Sequence, residues 1–421
     1  MHLHQAFKQL SSIALIGLAA GLASAFFLVS LDRVTRIHWE HPWLLFLLPA
    51  AGALSGFIYS LWGKQAEGGT ALIRDAIREP VLRVPGRMAL LVLPGTLITH
   101  LCGGSAGREG TAVQMGGSLA AVIGRCLRVP TEQLPLMLRC GMAAGFGAVF
   151  GTPVAGAIFA LEVSGPGRLG LPLRSLLFCL LAAVIADRTV AAWNIEHTAY
   201  VLASVPQTVR IGSVAEILLL TKTAAAAIAF GMAARLFIQM TEAVRSLLKR
   251  LRVPAWLRPA IGGTAVLVLT FLVGDRSYLG LGVTANPISP GGVSIQTSFA
   301  EGGAGWLSWW WKLAFTALTV GSGFKGGEVT PLFFIGAALG NMLSGVLGLP
   351  VSYLAALGFT AVFAAAARTP LACTIMAVEL FAPANPGLLS TNFLVTVALC
   401  AFLAARSSGR HSLYGDVAAG E

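Results

Sequence analysis

Residues 141–162 read GMAAGFGAVFGTPVAGAIFALE, and residues 358–379 read GFTAVFAAAARTPLACTIMAVE. Set side by side without a gap, roughly ten of about 22 positions are identical. The matches include the pairs Thr152-Pro153 and Thr369-Pro370 and the closing Glu162 and Glu379. A second pair falls at nearly the same spacing. GREGT (Gly107–Thr111) stands opposite GGEVT (Gly326–Thr330), which sets Glu109 against Glu328. Apolar sequence matches itself easily, but two matches at almost one offset point to duplication, a repeat signal found in many transporter folds. The predicted units are two membrane repeats, 1–205 and 206–421, within one integral membrane domain.

The composition agrees. The 421 residues are 56% hydrophobic and 11% charged, with a mean hydropathy of +0.78. Soluble globular proteins are about 45–50% apolar and about 25% charged. Here 29 Lys and Arg and 18 Asp and Glu are too few to cover a soluble protein of this length. That excludes a soluble enzyme, a nucleic-acid-binding domain and a disordered chain, despite a net charge of +11. The basic excess instead fits cytoplasmic loops lying beside anionic headgroups. The loop from Lys64 to Arg87, with Arg74, Arg78 and Arg83, is expected on the cytoplasmic side. So is Arg245–Arg258, with Lys249, Arg250 and Arg252, and with them the N-terminus.

Apolar stretches alternate between long and broken. Ser12–Leu31 is long enough to span and reads as a retained first span, not a cleaved signal peptide. Trp43–Trp62, Ile211–Phe237, Pro259–Val273 and Leu388–Ala405 are apolar for a crossing or nearly so. Between them Leu90–His100, Thr111–Ile123, Pro135–Ala160, Pro331–Leu347 and Tyr353–Thr369 are short or interrupted by Gly and Pro. The 49 glycines and 20 prolines let helices start and stop at membrane depth. Irregular backbone survives there only where protein buries it or where it lines a wet cavity. Broken helices in transporters surround the substrate.

The chemistry centres on GGSAGREGTAVQMGG (Gly103–Gly117), which sets Glu109 at a helix start inside an apolar run. Intramembrane carboxylates mark ion or proton pathways. Helix N-termini carry unpaired N–H groups and the positive end of the backbone dipole. If the repeats are inverted, the starts at Gly107–Thr111 and Gly326–Thr330 face each other near the midplane and form an anion site. Ionised, Glu109 competes with an anion for that site; protonated, it swings away with its proton. The structural alternative is a capping Glu paired with Arg108.

GREGT followed by VQMGG resembles the helix-start motif of the CLC family of chloride channels and anion/proton exchangers, GREGP or GKEGP. GSGFKGGEVTP (Gly321–Pro331) resembles that family's later anion-binding loop, GxFxP. Thr-Pro before an apolar run ending in Glu, in both halves, also fits, as does Tyr414 in HSLYGDV. The resemblance covers nearly the whole chain. It implies an all-α polytopic membrane protein of CLC-type fold, with two inverted repeats of many short, tilted and broken transmembrane helices.

The departures narrow the resemblance. No GSGIP precedes Arg74; the chain reads EGGTALIRDAI (Glu67–Ile77), so Gly68, Gly69 and Thr70 occupy that region without a serine. Glu328 and Val329 stand where chloride members carry an apolar residue and Phe. Val163 stands at the exchangers' internal proton-transfer Glu, and Thr111 replaces Pro. These features resemble the fluoride/proton antiporters of the family. That resemblance implies Glu109 as gating and proton-coupling carboxylate and Glu328 as a second carboxylate near the pathway. It implies Thr330 as a nearby hydroxyl and Tyr414 as a pore-lining aromatic. Gly107, Arg108, Gly110, Thr111, Gly326, Gly327 and Val329 fall in the same two loops, with Gly69 and Thr70 as first-loop candidates. It also implies a homodimer with a pathway in each subunit, in a bacterial inner membrane, moving fluoride and protons without a cofactor or nucleic acid.

The alternatives are a chloride or nitrate exchanger of ordinary CLC selectivity and a passive anion channel. An intramembrane enzyme with Glu109 and Glu328 as paired carboxylates lacks any accompanying nucleophile-base pair or metal cluster. The remaining signals read as structural. Gly103–Gly110 is not a P-loop, since no GK[ST] follows. The six cysteines show no CxxC pairing and read as apolar fillers, and the seven histidines form no zinc set. Val244–Arg252 reads as a basic linker between halves and Trp309–Trp311 as an interfacial belt. Glu162 and Glu379 are expected to cap or pair within their own helices. Little chain follows Tyr414, so no regulatory domain is expected there.

Overall fold

The computed structural model describes residues 2–79, 82–165, 172–204, 206, 213–285, 291–384, 391–409 and 412–414. Ile211, Leu388, the repeat boundary at Val205, and the HSLYGDV residues His411 and Gly415–Val417 lie outside the described residues. Among those described, the first half carries α1 (His2–Glu40), α2 (Leu48–Ile58), α3 (Gly69–Arg78) and α4 (Arg87–Leu101). It continues with α5 (Glu109–Cys126), α6 (Leu134–Phe150), α7 (Pro153–Ser164) and α8 (Leu173–Ala191). The second half carries α9 (Val214–Arg250), α10 (Arg258–Val273), α11 (Ser308–Gly321) and α12 (Val329–Leu347). It closes with α13 (Val351–Ala367), α14 (Pro370–Phe381) and α15 (Thr391–Ser407). Among the described residues, five helical stretches are long and apolar enough to cross a membrane: Lys8–Glu40, Pro42–Arg78, Thr131–Phe150, Val214–Arg250 and Val329–Leu347.

The aligned sequence segments form the same local structure. α6 and α13 are 17 residues each, α7 and α14 12 residues each. Between the members of each pair the chain makes one break. Gly151 (φ 70) and Arg368 (φ 58) turn left-handed, Thr152 and Thr369 take φ −128 and −124, and proline opens the next helix. A left-handed residue stops a helix and a proline at its first position costs the next one nothing, since that N–H is unpaired anyway. Gly116 and Gly141 let α5 and α6 cross with backbones touching, and Gly336 and Gly358 do the same for α12 and α13; a Cβ at any of the four would strike the facing carbonyl. The aligned Phe146 and Phe363 meet at 6.3 Å with near-parallel rings, in a core continued by Phe159, Phe333 and Phe359.

Three expectations are corrected. Glu162 does not cap its own helix: its carboxylate accepts from Leu371 N (3.1 Å) and Ala372 N (2.9 Å) at the start of α14. Glu379 accepts in return from Val154 N (3.0 Å) and Ala155 N (2.8 Å) at the start of α7. Neither Thr152 nor Thr369 caps its own helix, so those N–H groups need an outside acceptor, and the end of the antiparallel neighbour supplies it. Val244–Arg252 is not a free linker either. It continues α9 helically through Arg250, with no Gly or Pro to break it before Pro254 and an ion pair at 2.9 Å between Arg245 and Glu242 one turn earlier. The long loop after the second apolar stretch likewise contains a helix, α3.

Candidate functional site

The starts of α5 and α12 meet. Gly107 N donates to Gly327 O at 2.5 Å and Gly327 N to Gly107 O at 2.7 Å, an antiparallel bridge between the two glycine loops. A Cβ on Gly327 would lie 2.7 Å from Gly110 N and one on Gly326 2.5 Å from Ala106 Cβ. Only glycine allows this approach. Neither Arg108 nor Glu328, the residues at the two helix caps, makes a side-chain cap. The orphan N–H groups at the meeting point are therefore left for another acceptor.

That acceptor is Glu109. Its side chain is 1% exposed and reaches across to α12. Oε2 accepts from Thr330 N (3.1 Å) and Oε1 from the Thr330 hydroxyl (2.6 Å). Arg108 N donates to Oε2 at 3.1 Å. The Arg108 Nε is 3.5 Å from Oε1, yet that buried nitrogen has no hydrogen-bond partner. So the carboxylate is held chiefly by a helix start and a hydroxyl, and the cation beside it is a looser neighbour. Backbone N–H groups at a helix start are anion donors in general, and here a tethered carboxylate occupies them.

The remaining residues surround this contact unevenly. Val329 and Thr330 are buried. Glu328 is half-buried, with Oε2 3.9 Å from where a Gly110 Cβ would be. Tyr414 is 7% exposed, its ring edge-on to Phe159 at 6.1 Å, held by Leu413 N donating to Ala366 O at 3.0 Å. It lies within electrostatic range of both Glu109 and Glu328. The Thr111 hydroxyl is 2.7 Å from Thr96 Oγ1, which itself donates to Val92 O; Thr111 is then the donor and its proton is spent on α4. Gly69 (φ 54) opens α3 beside the Gln114 amide, 3.1 Å from where its Cβ would stand. Thr70 is buried in the same turn, and α3 rests on α5, α6 and α7.

Residues 51–406 match the family described as voltage gated chloride channel. The chain belongs to the CLC family. It is 45% identical over 382 residues to a chloride/fluoride channel protein of Pseudomonas syringae pv. tomato, covering 89% of this chain and 80% of that one. A putative chloride channel protein, ClcB-like, from Ralstonia nicotianae is 30% identical over 372 residues, covering 80% of this chain and 78% of its own. The crystal structure of a CLC-type fluoride/proton antiporter superposes with a TM-score of 0.85 at 31% identity, over 98% of both chains. A slow cyanobacterial chloride/proton antiporter matches with a TM-score of 0.74 at 18% identity, over 95% and 94%, which shows the shared fold. This is thus a CLC membrane protein of ion transport, with the inverted repeats of short, broken helices that the fold carries. Members of the family are channels or transporters, not enzymes.

Three features of this CLC chain were missed in the sequence. Lys312, 0% exposed on α11, donates from Nζ to Tyr278 O (3.1 Å) and Gly280 O (2.8 Å) and sits over the Phe334 ring at 5.4 Å. A lysine inside an apolar helix is itself a signal, and here it directly follows the tryptophans of Trp309–Trp311. His100, also buried, touches the glycine loop at Ala106. Finally, a cavity of about 520 Å3 opens on the Arg108 side of the site, lined among others by Arg36, His38, His100, Arg108, His197 and Arg276. No local motif marks that cavity, because its basic residues come from five separate segments.

Proposed function

We propose that this CLC protein exports fluoride in exchange for protons. The observation that carries the reading is the Glu109 carboxylate lodged on the N–H and hydroxyl of Thr330. A fixed negative group already occupies an anion's donors, so an arriving anion and Glu109 exclude one another. Protonating Glu109 removes its claim on those donors and frees it to leave with the proton. The two ions then move in opposite directions. Fluoride is small, strongly hydrated and a strong acceptor, so its site must replace water with good donors, which N–H groups and a Thr hydroxyl are. Export needs a driving force, because HF crosses lipid in acid surroundings and dissociates inside; proton entry supplies it.

In this reading Gly107, Arg108, Gly110, Gly326, Gly327 and Val329 shape the crossing, and Glu328 and Tyr414 flank the path. Thr111 stiffens the α5 start through Thr96, while Gly69 and Thr70 serve the far side of α5, at Gln114. The relative named for both chloride and fluoride and the antiporter match support fluoride as cargo. Each subunit of a homodimer carries its own pathway, residues 1–205 and 206–421 are the two repeats, and the N-terminus faces the cytoplasm of a bacterial inner membrane.

The test is efflux from liposomes loaded with equal fluoride and chloride, read by two electrodes and external pH. Fluoride leaving alone while protons enter is the expected result; equal chloride loss makes the protein an ordinary CLC exchanger, and flux without protons makes it a channel. Glu109→Gln is expected to pass fluoride with proton uptake at background. Coupled exchange persisting in that variant overturns the role of Glu109.

A further inference from the structure

His100 lies in the last turn of α4 and is 2% exposed. Both of its ring nitrogens face carbonyl oxygens: Nδ1 is 2.8 Å from Thr96 O and Nε2 3.1 Å from Ala106 O. A neutral imidazole has one N–H, so it serves one carbonyl and presents a lone pair to the other. Only the imidazolium donates twice. Flipping the ring helps neither contact, because it would set C–H groups where the nitrogens stand.

The two carbonyls are not equivalent. Thr96 O is on the same helix, one turn back. Ala106 belongs to the loop and immediately precedes Gly107, which bridges to Gly327. Thr96 also takes the Thr111 hydroxyl from the first turn of α5. His100 therefore grips the α5 start on both sides, through Ala106 before it and through Thr96 and Thr111 after it.

We infer that His100 is a proton-binding site, its second ring proton clamping the Ala106 carbonyl and with it the glycine bridge over Glu109. Charged hydrogen bonds of this kind are roughly twice as strong as neutral ones, so the doubly protonated ring holds the loop more firmly. Burial is the largest influence on the ring and opposes the added proton; the Thr96 and Ala106 carbonyls favour it, and Lys312 from α11 and His38 from α1 oppose it more weakly. The loop it holds carries Arg108 and Glu109, which oppose and favour the proton in turn. His100 lines the cavity that is also lined by Arg108, His38 and His197, which gives the ring a side that is not packed against helix. The protonation stands independently of which ions the protein carries; only its effect on flux rests on the proposed transport.

Two measurements on the full-length protein decide it. Nitrogen NMR of 15N-histidine protein reads the protons on each ring nitrogen. His100 is identified by labelling His–Leu pairs, of which the chain has only His2–Leu3 and His100–Leu101. Two protonated nitrogens on His100 between pH 5 and pH 7 are expected; a single protonated nitrogen throughout that range overturns the inference. The second measurement uses fluoride efflux at equal pH on both faces, in the Glu109→Gln background so that Glu109 does not titrate. Efflux is expected to change about fivefold between pH 5 and pH 8, and adding His100→Gln is expected to flatten it. Coincident pH profiles with and without His100→Gln remove the clamp. If that variant does not fold, the NMR result on the native chain still decides the proton.

Discussion

Thr330 holds Glu109 by two bonds of different kinds, a backbone N–H to Oε2 at 3.1 Å and a hydroxyl to Oε1 at 2.6 Å. The first survives any substitution except proline; the second does not. Thr330→Val therefore removes one charge-assisted bond, about 1.5–3 kcal/mol, and leaves the fold's volume unchanged. Fluoride uses the same hydroxyl once Glu109 has left, so its apparent affinity should fall by roughly tenfold or more, read from the fluoride dependence of efflux in the Glu109→Gln background, where the carboxylate no longer competes. Thr330→Ser keeps the hydroxyl and should stay near the native value. Equal behaviour of Val and Ser would show that the hydroxyl contributes nothing.

Gly116 and Gly336 occupy corresponding crossings. Alanine at either places a methyl on a facing carbonyl, so each should lower stability by about 1–3 kcal/mol or more. Gly345 lies in α12 with nothing within 4 Å of its added Cβ, and alanine there should be neutral or stabilising, by up to about 1 kcal/mol. Thermal unfolding in detergent compares the three. A Gly345→Ala loss equal to the others would mean the crossings are not tight.

Glu162→Ala strips two acceptors from the start of α14, and Glu379→Ala two from the start of α7. Each should cost about 1–2 kcal/mol, the penalty of donors left without a partner in partly buried surroundings. Glutamine, which keeps an oxygen, should recover part of it. Both changes act on the one α7–α14 contact, so their costs should not be independent and the double variant should lose less than the sum; strict additivity would mean that the two contacts form separately. The unfolding midpoints of the two single variants and the double variant provide the reading.

Burial first, and the Arg108 charge second, hold the His197 imidazole below its ordinary 6.5. The unfolded chain then takes up the proton before the folded one, so stability should fall as pH drops below about 6.5. His197→Asn cannot titrate and should lose less between pH 7.5 and pH 5.5. An identical loss in both proteins would place the acid sensitivity elsewhere.

The parts legible in the sequence are those written locally. The repeat at 141–162 and 358–379 set the matched lengths of α6, α7, α13 and α14, and the glycine loops marked Glu109 and Thr330 as neighbours of a shared site. What escaped was whatever depends on two distant stretches meeting. Glu162 finds Leu371, and His100 finds a loop carbonyl, through contacts that no spacing encodes. The first loop is less legible: order along the chain offers Gly69 and Thr70, and in the structure Gly69 stands beside Gln114, more than a helical turn beyond Glu109.

The exchanged carboxylates of α7 and α14 have one more meaning. Each helix begins correctly only because the other one ends in Glu, a lock and key in which both parties hold the same lock and the same key. Two separate copies of a single half could have made that contact before any peptide joined them, as self-complementary patches do. Cut between α8 and α9, the two pieces should still be partners, with each piece an incomplete protein until it finds the other.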